Sequence, residues 1–136
     1  MADYFTHFSC ILELHTAENA DQAMEIYRSL EVEYEADGFD VLFAASIGQD
    51  SPTLIWIRDD TSGDPDHAID FVCRCAKALK LSGWWGIEWA NTCSAQRRDA
   101  FGGGACVVNL TTAKVSSTIS TNAWLTSKLA RRAGHA

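Results

Sequence analysis

The chain has 136 residues, 47% apolar and 21% charged, which excludes a disordered or fibrous polymer and fits a single domain over residues 1–136. Its formal net charge is −7, and uncovered acidic surface repels nucleic acid and attracts basic partners. No apolar run is long enough for a bilayer, and the start "MADYFTHFSC" lacks the basic flank and apolar stretch of a secretory leader, so the expected compartment is the cytoplasm.

Residues 4–14, "YFTHFSCILEL", alternate with the period of a strand. Tyr4, Thr6, Phe8, Cys10, Leu12 and Leu14 share one face, and Phe5, His7, Ser9, Ile11 and Glu13 the other. A helix follows, with Thr16 or Asn19 as N-cap, a stripe of Ala20, Ala23, Met24, Tyr27, Leu30 and Tyr34, and Gly38 at its end. "FDVLFAASI" (39–47) and "TLIWI" (53–57) read as strands joined by a turn around Gly48 and Pro52. Asp64 before Pro65 predicts a helix start, because the carboxylate caps free N–H groups and proline suits the first turn. Ala68, Ile69, Val72, Cys75, Ala76 and Leu79 form its buried stripe, with Gly83 closing it. "WWGIEWANT" (84–92) is the fourth strand. "ACVVNL" and "VSSTIS" form a hairpin, after which Ser120 or Thr121 caps a short helix bearing Trp124, Leu125 and Leu129. The tail "RRAGHA" is expected to fray.

This order predicts an α+β fold with a ferredoxin-like split β-α-β core (β-α-β-β-α-β) over residues 1–92. Residues 93–130 add the hairpin and helix, and residues 131–136 the tail. Such a core places both helices on one face of the sheet. With Phe8, Val41, Ile55 and Ile87 toward the helices, the other face carries Phe5, His7, Ile11, Leu42, Trp56, Arg58, Trp84 and Glu88. His7, Trp56, Arg58, Trp84 and Glu88 are the candidate ligand face: His7 could move a proton, Arg58 hold an anion, and Trp56 or Trp84 stack on a planar group. The alternative is that the C-terminal hairpin or helix covers this face and its aromatics become a second core.

Other motifs carry less. In "RRDAFGGGACVVNL" the glycines precede a strand-like run, whereas a phosphate loop needs a helix there. A bulge or tight loop with close backbone approach is the expectation, with Arg97 and Arg98 leaving an anion site as a minor option. The five cysteines are an odd number, which argues for reduced thiols rather than a disulfide framework. Cys73 and Cys75 point apart on a helix, and His7, His15, His67 and His135 show no ligand spacing, so no metal or cofactor is expected. Cys93 or Cys106 could still meet a distant histidine as a nucleophile, although small buried hydrophobes are commoner. "RDDTSGDPD" lacks the spacing of a calcium loop, leaving Asp59 and Asp60 as loop residues.

The charge is split along the chain. Residues 1–70 hold sixteen acids against two bases, Arg28 and Arg58, whereas residues 71–136 hold two acids against nine bases. Acids are densest at Glu31, Glu33, Glu35 and Asp37, where mutual repulsion is tolerated more readily if a basic partner relieves it. No catalytic motif is present. The leading expectation is therefore a non-enzymatic acidic module docking on a basic protein surface, in one version an inhibitor occupying the site of a nucleic-acid-binding complex. In size, acidity and lack of catalytic motifs the chain resembles small anti-CRISPR inhibitors. The alternative is a small-molecule-binding domain or enzyme on the sheet face around His7, Trp56 and Arg58. A homodimer pairing sheet faces or edge strands is a third expectation; direct nucleic-acid binding and membrane association are not expected.

Overall fold

A computed structural model describes residues 3–95 and 101–133. Its elements run β1 (Tyr4–His7), β2 (Ser9–Glu13), α1 (Ala17–Ala36), β3 (Ala44–Ile47), β4 (Leu54–Arg58), α2 (Pro65–Ala78), β5 (Trp84–Cys93), β6 (Gly102–Asn109), β7 (Lys114–Ser120) and α3 (Thr121–Ala133). The fold is α+β, with three helices and two antiparallel sheets, β1-β5-β6-β7 and β2-β4-β3, among the described residues. The expected ferredoxin-like order in one core sheet is not matched.

The difference originates at Phe8, where the predicted single strand 4–14 breaks. The Phe8 ring is buried, and both of its backbone groups turn to Asp59. Its N–H donates to Asp59 Oδ1 at 2.8 Å, and its carbonyl accepts from the Asp59 N–H at 3.0 Å. The loop beyond β4 continues this replacement, Gly63 N–H donating to the Thr6 carbonyl and Ser62 Oγ accepting from the Thr6 N–H. β1 therefore joins β5, with His7 opposite Ala90, while β2 joins β4, with Ile11 opposite Trp56. Where β2 and β5 diverge, the Trp85 indole N–H donates to the Ile11 carbonyl at 3.0 Å, bridging the two sheets.

One core serves both sheets. Leu12 and Leu14, Ile55 and Ile57, Trp85 and Ile87, and Cys106 and Val108 turn inward to meet Ala20, Ala23 and Leu30 of α1 and Phe71, Val72 and Cys75 of α2. Tyr27 meets Phe43 and Phe71 edge-on, at centroid distances of 5.2 and 5.8 Å, and its hydroxyl donates to the Phe43 carbonyl. Thr16, not Asn19, is the N-cap of α1, its side chain accepting from the Asn19 N–H. Asp64 caps α2 as expected, through the Asp66 N–H.

Four further boundaries differ from expectation. Residues 39–43 are not strand, because Leu42 binds His67 Nδ1 through its N–H and Asp64 N–H through its carbonyl instead of a neighbouring strand. α2 ends at Ala78 with Leu79 as C-cap, so Gly83 lies just before β5 rather than closing the helix. Arg131, Arg132 and Ala133, expected to fray, continue α3. The glycines 102–104 lie inside β6 rather than in a loop before it, and Trp89 supplies the reason. A Cβ at Gly103 would sit 2.2 Å from the Trp89 carbonyl oxygen, and one at Gly104 2.3 Å from the indole. The close approach was expected; the uninterrupted strand was not. Arg97 and Arg98 lie outside the described residues.

No helix among the described residues is long and apolar enough to cross a membrane.

Candidate functional site

Alternation along β2 and β4 turns Leu12, Ile55 and Ile57 into the core and Ser9, Ile11, Trp56 and Arg58 outward. Antiparallel register then sets Ile11 and Ser46 on either side of Trp56, and Ser9 and Ala44 on either side of Arg58. Trp56 and Arg58 thus share one side of the sheet. The Arg58 guanidinium carbon lies 4.0 Å from the Trp56 ring centroid, a cation–π contact. Its Nη1 donates to Ser46 Oγ at 2.8 Å, and the Trp56 indole N–H donates to Ser9 Oγ at 2.8 Å. Both side chains are held before any partner arrives.

Ile11, Ser46, Trp56 and Arg58, with the turn Gly48–Ser51, line a shallow groove of about 560 Å³. A second cleft, about 400 Å³, opens where β2 and β5 part, between Glu13, Lys80, Trp84 and Trp85. Ile11 belongs to both, so Trp84, Ile11 and Trp56 run across the seam between the sheets. They are 65%, 55% and 44% exposed, an apolar strip of the kind that marks an interaction surface. The C-terminal helix does not cover it, since α3 has no buried residue and Trp56 stays exposed. Glu88 is exposed on β5 opposite Ala105 and lines neither groove.

His7 also lines neither groove. Its Nδ1 lies 2.9 Å from Asp59 Oδ2 and its Nε2 3.2 Å from Thr92 Oγ1, with Phe5 stacked beside the ring. Against partial burial, His7 and the Phe8 N–H hold the Asp59 carboxyl below its ordinary range. A hydroxyl–imidazole–carboxylate chain can relay a proton, but here the same carboxylate secures the strand break through Phe8. Its geometry is that of a clamp between β1, β5 and the end of β4.

The acidic positions do not form one surface. Glu31 and Glu33 lie about 200° apart around α1, as residues two apart on a helix must. Glu33 turns to α2 and takes a bidentate pair with Arg74, which also binds Asp70. This contact holds the Glu33 carboxyl below its ordinary range and raises Arg74. The Tyr34 hydroxyl donates to Asp70 at 2.9 Å; burial and that carboxylate push it up to about 12. Glu31 lies on the other flank, beside Tyr27 and Asp60. Glu31, Glu35 and Asp37 are exposed and have no ion pair among the described residues.

Burial pushes the Cys10 and Cys75 thiols up to about 12 and raises Cys73, far from the range of an activated nucleophile. Cys106 is buried, and Cys93 is half-buried at the end of β5.

Ser46 and Thr92 are not singled out by sequence, and Asp59 reads there only as a loop residue. Asp59 had a visible signal, a carboxylate directly after an alternating strand, but its partner Phe8 is 51 residues away. Ser46 became legible only with the register that sets it beside Trp56. No family model, no curated protein and no solved structure matches the chain.

Proposed function

We propose that the protein is a non-enzymatic protein-binding module whose docking surface is the outward face of the β2-β4-β3 sheet, centred on Ile11, Trp56 and Arg58, with Trp84 at its margin. The observation that carries this reading is the stack of half-buried Arg58 on exposed Trp56, already fixed by Ser46 and Ser9. Tryptophan and arginine dominate the energetics of protein interfaces, and side chains ordered in advance lose little entropy on binding. The groove is shallow and open to solvent, which suits a partner's surface better than an enclosed small molecule. The partner would present an acidic group to the Arg58 guanidinium and an apolar side chain to Ile11 and Trp56.

A second reading places docking on the acids of α1, against a basic surface such as that of a nucleic-acid-binding complex; an anti-CRISPR-like inhibitor is its concrete version. It is favoured by the exposure of Glu31, Glu35 and Asp37 and weakened by the internal pairing of Glu33.

Affinity capture from a native lysate with three baits separates the two. Trp56→Ala/Arg58→Ala should lose the partner that the wild type retains, while Glu31→Lys/Glu35→Lys keeps it. Loss with the charge-reversed bait alone, together with loss of wild-type capture at high salt, would transfer the function to α1. Identical capture by all three would remove both readings.

A further inference from the structure

We propose that the cavity at the C-terminal end of α1, lined by Tyr34, Asp37, Phe39 and His67, binds a quaternary ammonium group, independently of the sheet face assigned above. The helix end shapes this cavity. Gly38 takes a φ of 85°, its N–H donates to the Glu35 carbonyl, and the Phe39 N–H donates to the Tyr34 carbonyl at 2.9 Å. This pair of bonds turns the chain back on the last turn of the helix and brings Phe39 to the cavity that Tyr34 lines. Such turns commonly close on an apolar contact between these two positions. Here Phe39 stays 66% exposed, so that contact leaves most of its ring available.

The remaining walls are held before any ligand arrives. The Tyr34 hydroxyl donates to Asp70, and His67 meets the Tyr34 ring edge-on at a centroid distance of 4.8 Å. His67 Nδ1 accepts from the Leu42 N–H at 3.0 Å, which puts the ring proton on Nε2, 3.4 Å from Asp64 Oδ2, and leaves the imidazole neutral. Three aromatic rings and one carboxylate thus line a cavity of about 240 Å³. That is below the ~300–1,000 Å³ of clefts for drug-sized molecules and suits a small head group.

Charge and hydration select the occupant. Residues 31–40 hold five acids and no base, and the last turn of α1, at the negative end of the helix dipole, contains no basic residue. Arg74, which also binds Asp70, is balanced by Asp70 and Glu33. The cavity therefore attracts a cation, and the negative faces of its rings favour one that arrives without a shell of water. One lining carboxylate is too few oxygens for calcium or magnesium. A primary ammonium is strongly hydrated and would exchange its water for that single carboxylate. A quaternary ammonium has no N–H to satisfy, and its methyl groups pack on aromatic rings.

Proton–nitrogen correlation spectra of the isotope-labelled full chain, titrated with choline and with trimethyllysine blocked at both ends, test this. Saturable shifts of the Gly38 and Phe39 amides with either probe are the expected result. The tighter probe tells whether the ammonium group comes from a free small molecule or from a protein side chain. Blocked unmethylated lysine and the uncharged carbon isostere of choline should each bind roughly 10-fold more weakly. Phe39→Ala and Phe39→Leu, at an exposed position, should both weaken binding roughly 10-fold, and Phe39→Trp should restore it, because the attraction needs an aromatic face. Asp37→Asn should weaken it roughly 3-fold, the difference shrinking at high salt. No saturable shift at these amides, equal binding of the uncharged isostere, or a Phe39→Leu variant that binds as the wild type does would overturn the proposal.

Discussion

Helices α2 and α3 are fourteen and thirteen residues long and both carry an apolar stripe, yet α2 buries six residues and α3 none. The stripe of α2, from Ala68 to Ala76, is enclosed by α1 and by strands of both sheets. That of α3 emerges from an edge strand after the core has closed. Amphipathic spacing therefore states that a face needs cover without stating where the cover comes from. In α2 the same chain supplies it; in α3 the stripe stays exposed among the described residues.

Three measurements sharpen the contrast. The largest effect belongs to the covered helix. Phe71 is fully buried and packs against Tyr27 and Phe43, so Phe71→Ala should cost about 3–5 kcal/mol in urea unfolding. A cost below about 1 kcal/mol would mean that α2 is not the keystone of this core.

An intermediate effect belongs to the join between the sheets. Asp59→Asn keeps an oxygen near the Phe8 N–H but removes the charge facing His7, and should cost about 1 kcal/mol at neutral pH. Because the folded state depresses the Asp59 carboxyl, this stabilisation is complete above the ordinary aspartate range. It is lost as pH falls through the depressed value. The stability difference between wild type and variant should therefore narrow on acidification; a difference that widens would contradict the assignment.

The smallest effect belongs to the uncovered helix. At high dilution Trp124→Ala should alter stability by less than ~0.5 kcal/mol, as for an exposed position. A large loss at high dilution would show that α3 is covered within its own chain.

Much of the candidate site was legible before the structure. Alternation in "TLIWI" and its following arginine set Trp56 and Arg58 on the same side, and alternation in "YFTHFSCILEL" turned Ile11 outward. Grouping His7 and Glu88 with them did not follow from alternation alone. It assumed one continuous sheet, and the break at Phe8 leaves both outside the Trp56–Arg58 groove. The acidic run was equally visible, but helical geometry turned Glu33 away from Glu31 and toward Arg74, 41 residues on.

The chain's own periodicities determined the helices, the outward faces of β2 and β4 and the capping residue Asp64, because those depend on neighbours a few residues apart. The tertiary structure alone decided that Asp59 would divide the first strand between two sheets, that Trp85 would bridge them, and that α3 would find no place in the core. Each of those outcomes is a competition for hydrogen bonds or buried volume between groups far apart in sequence, which local patterning leaves undetermined.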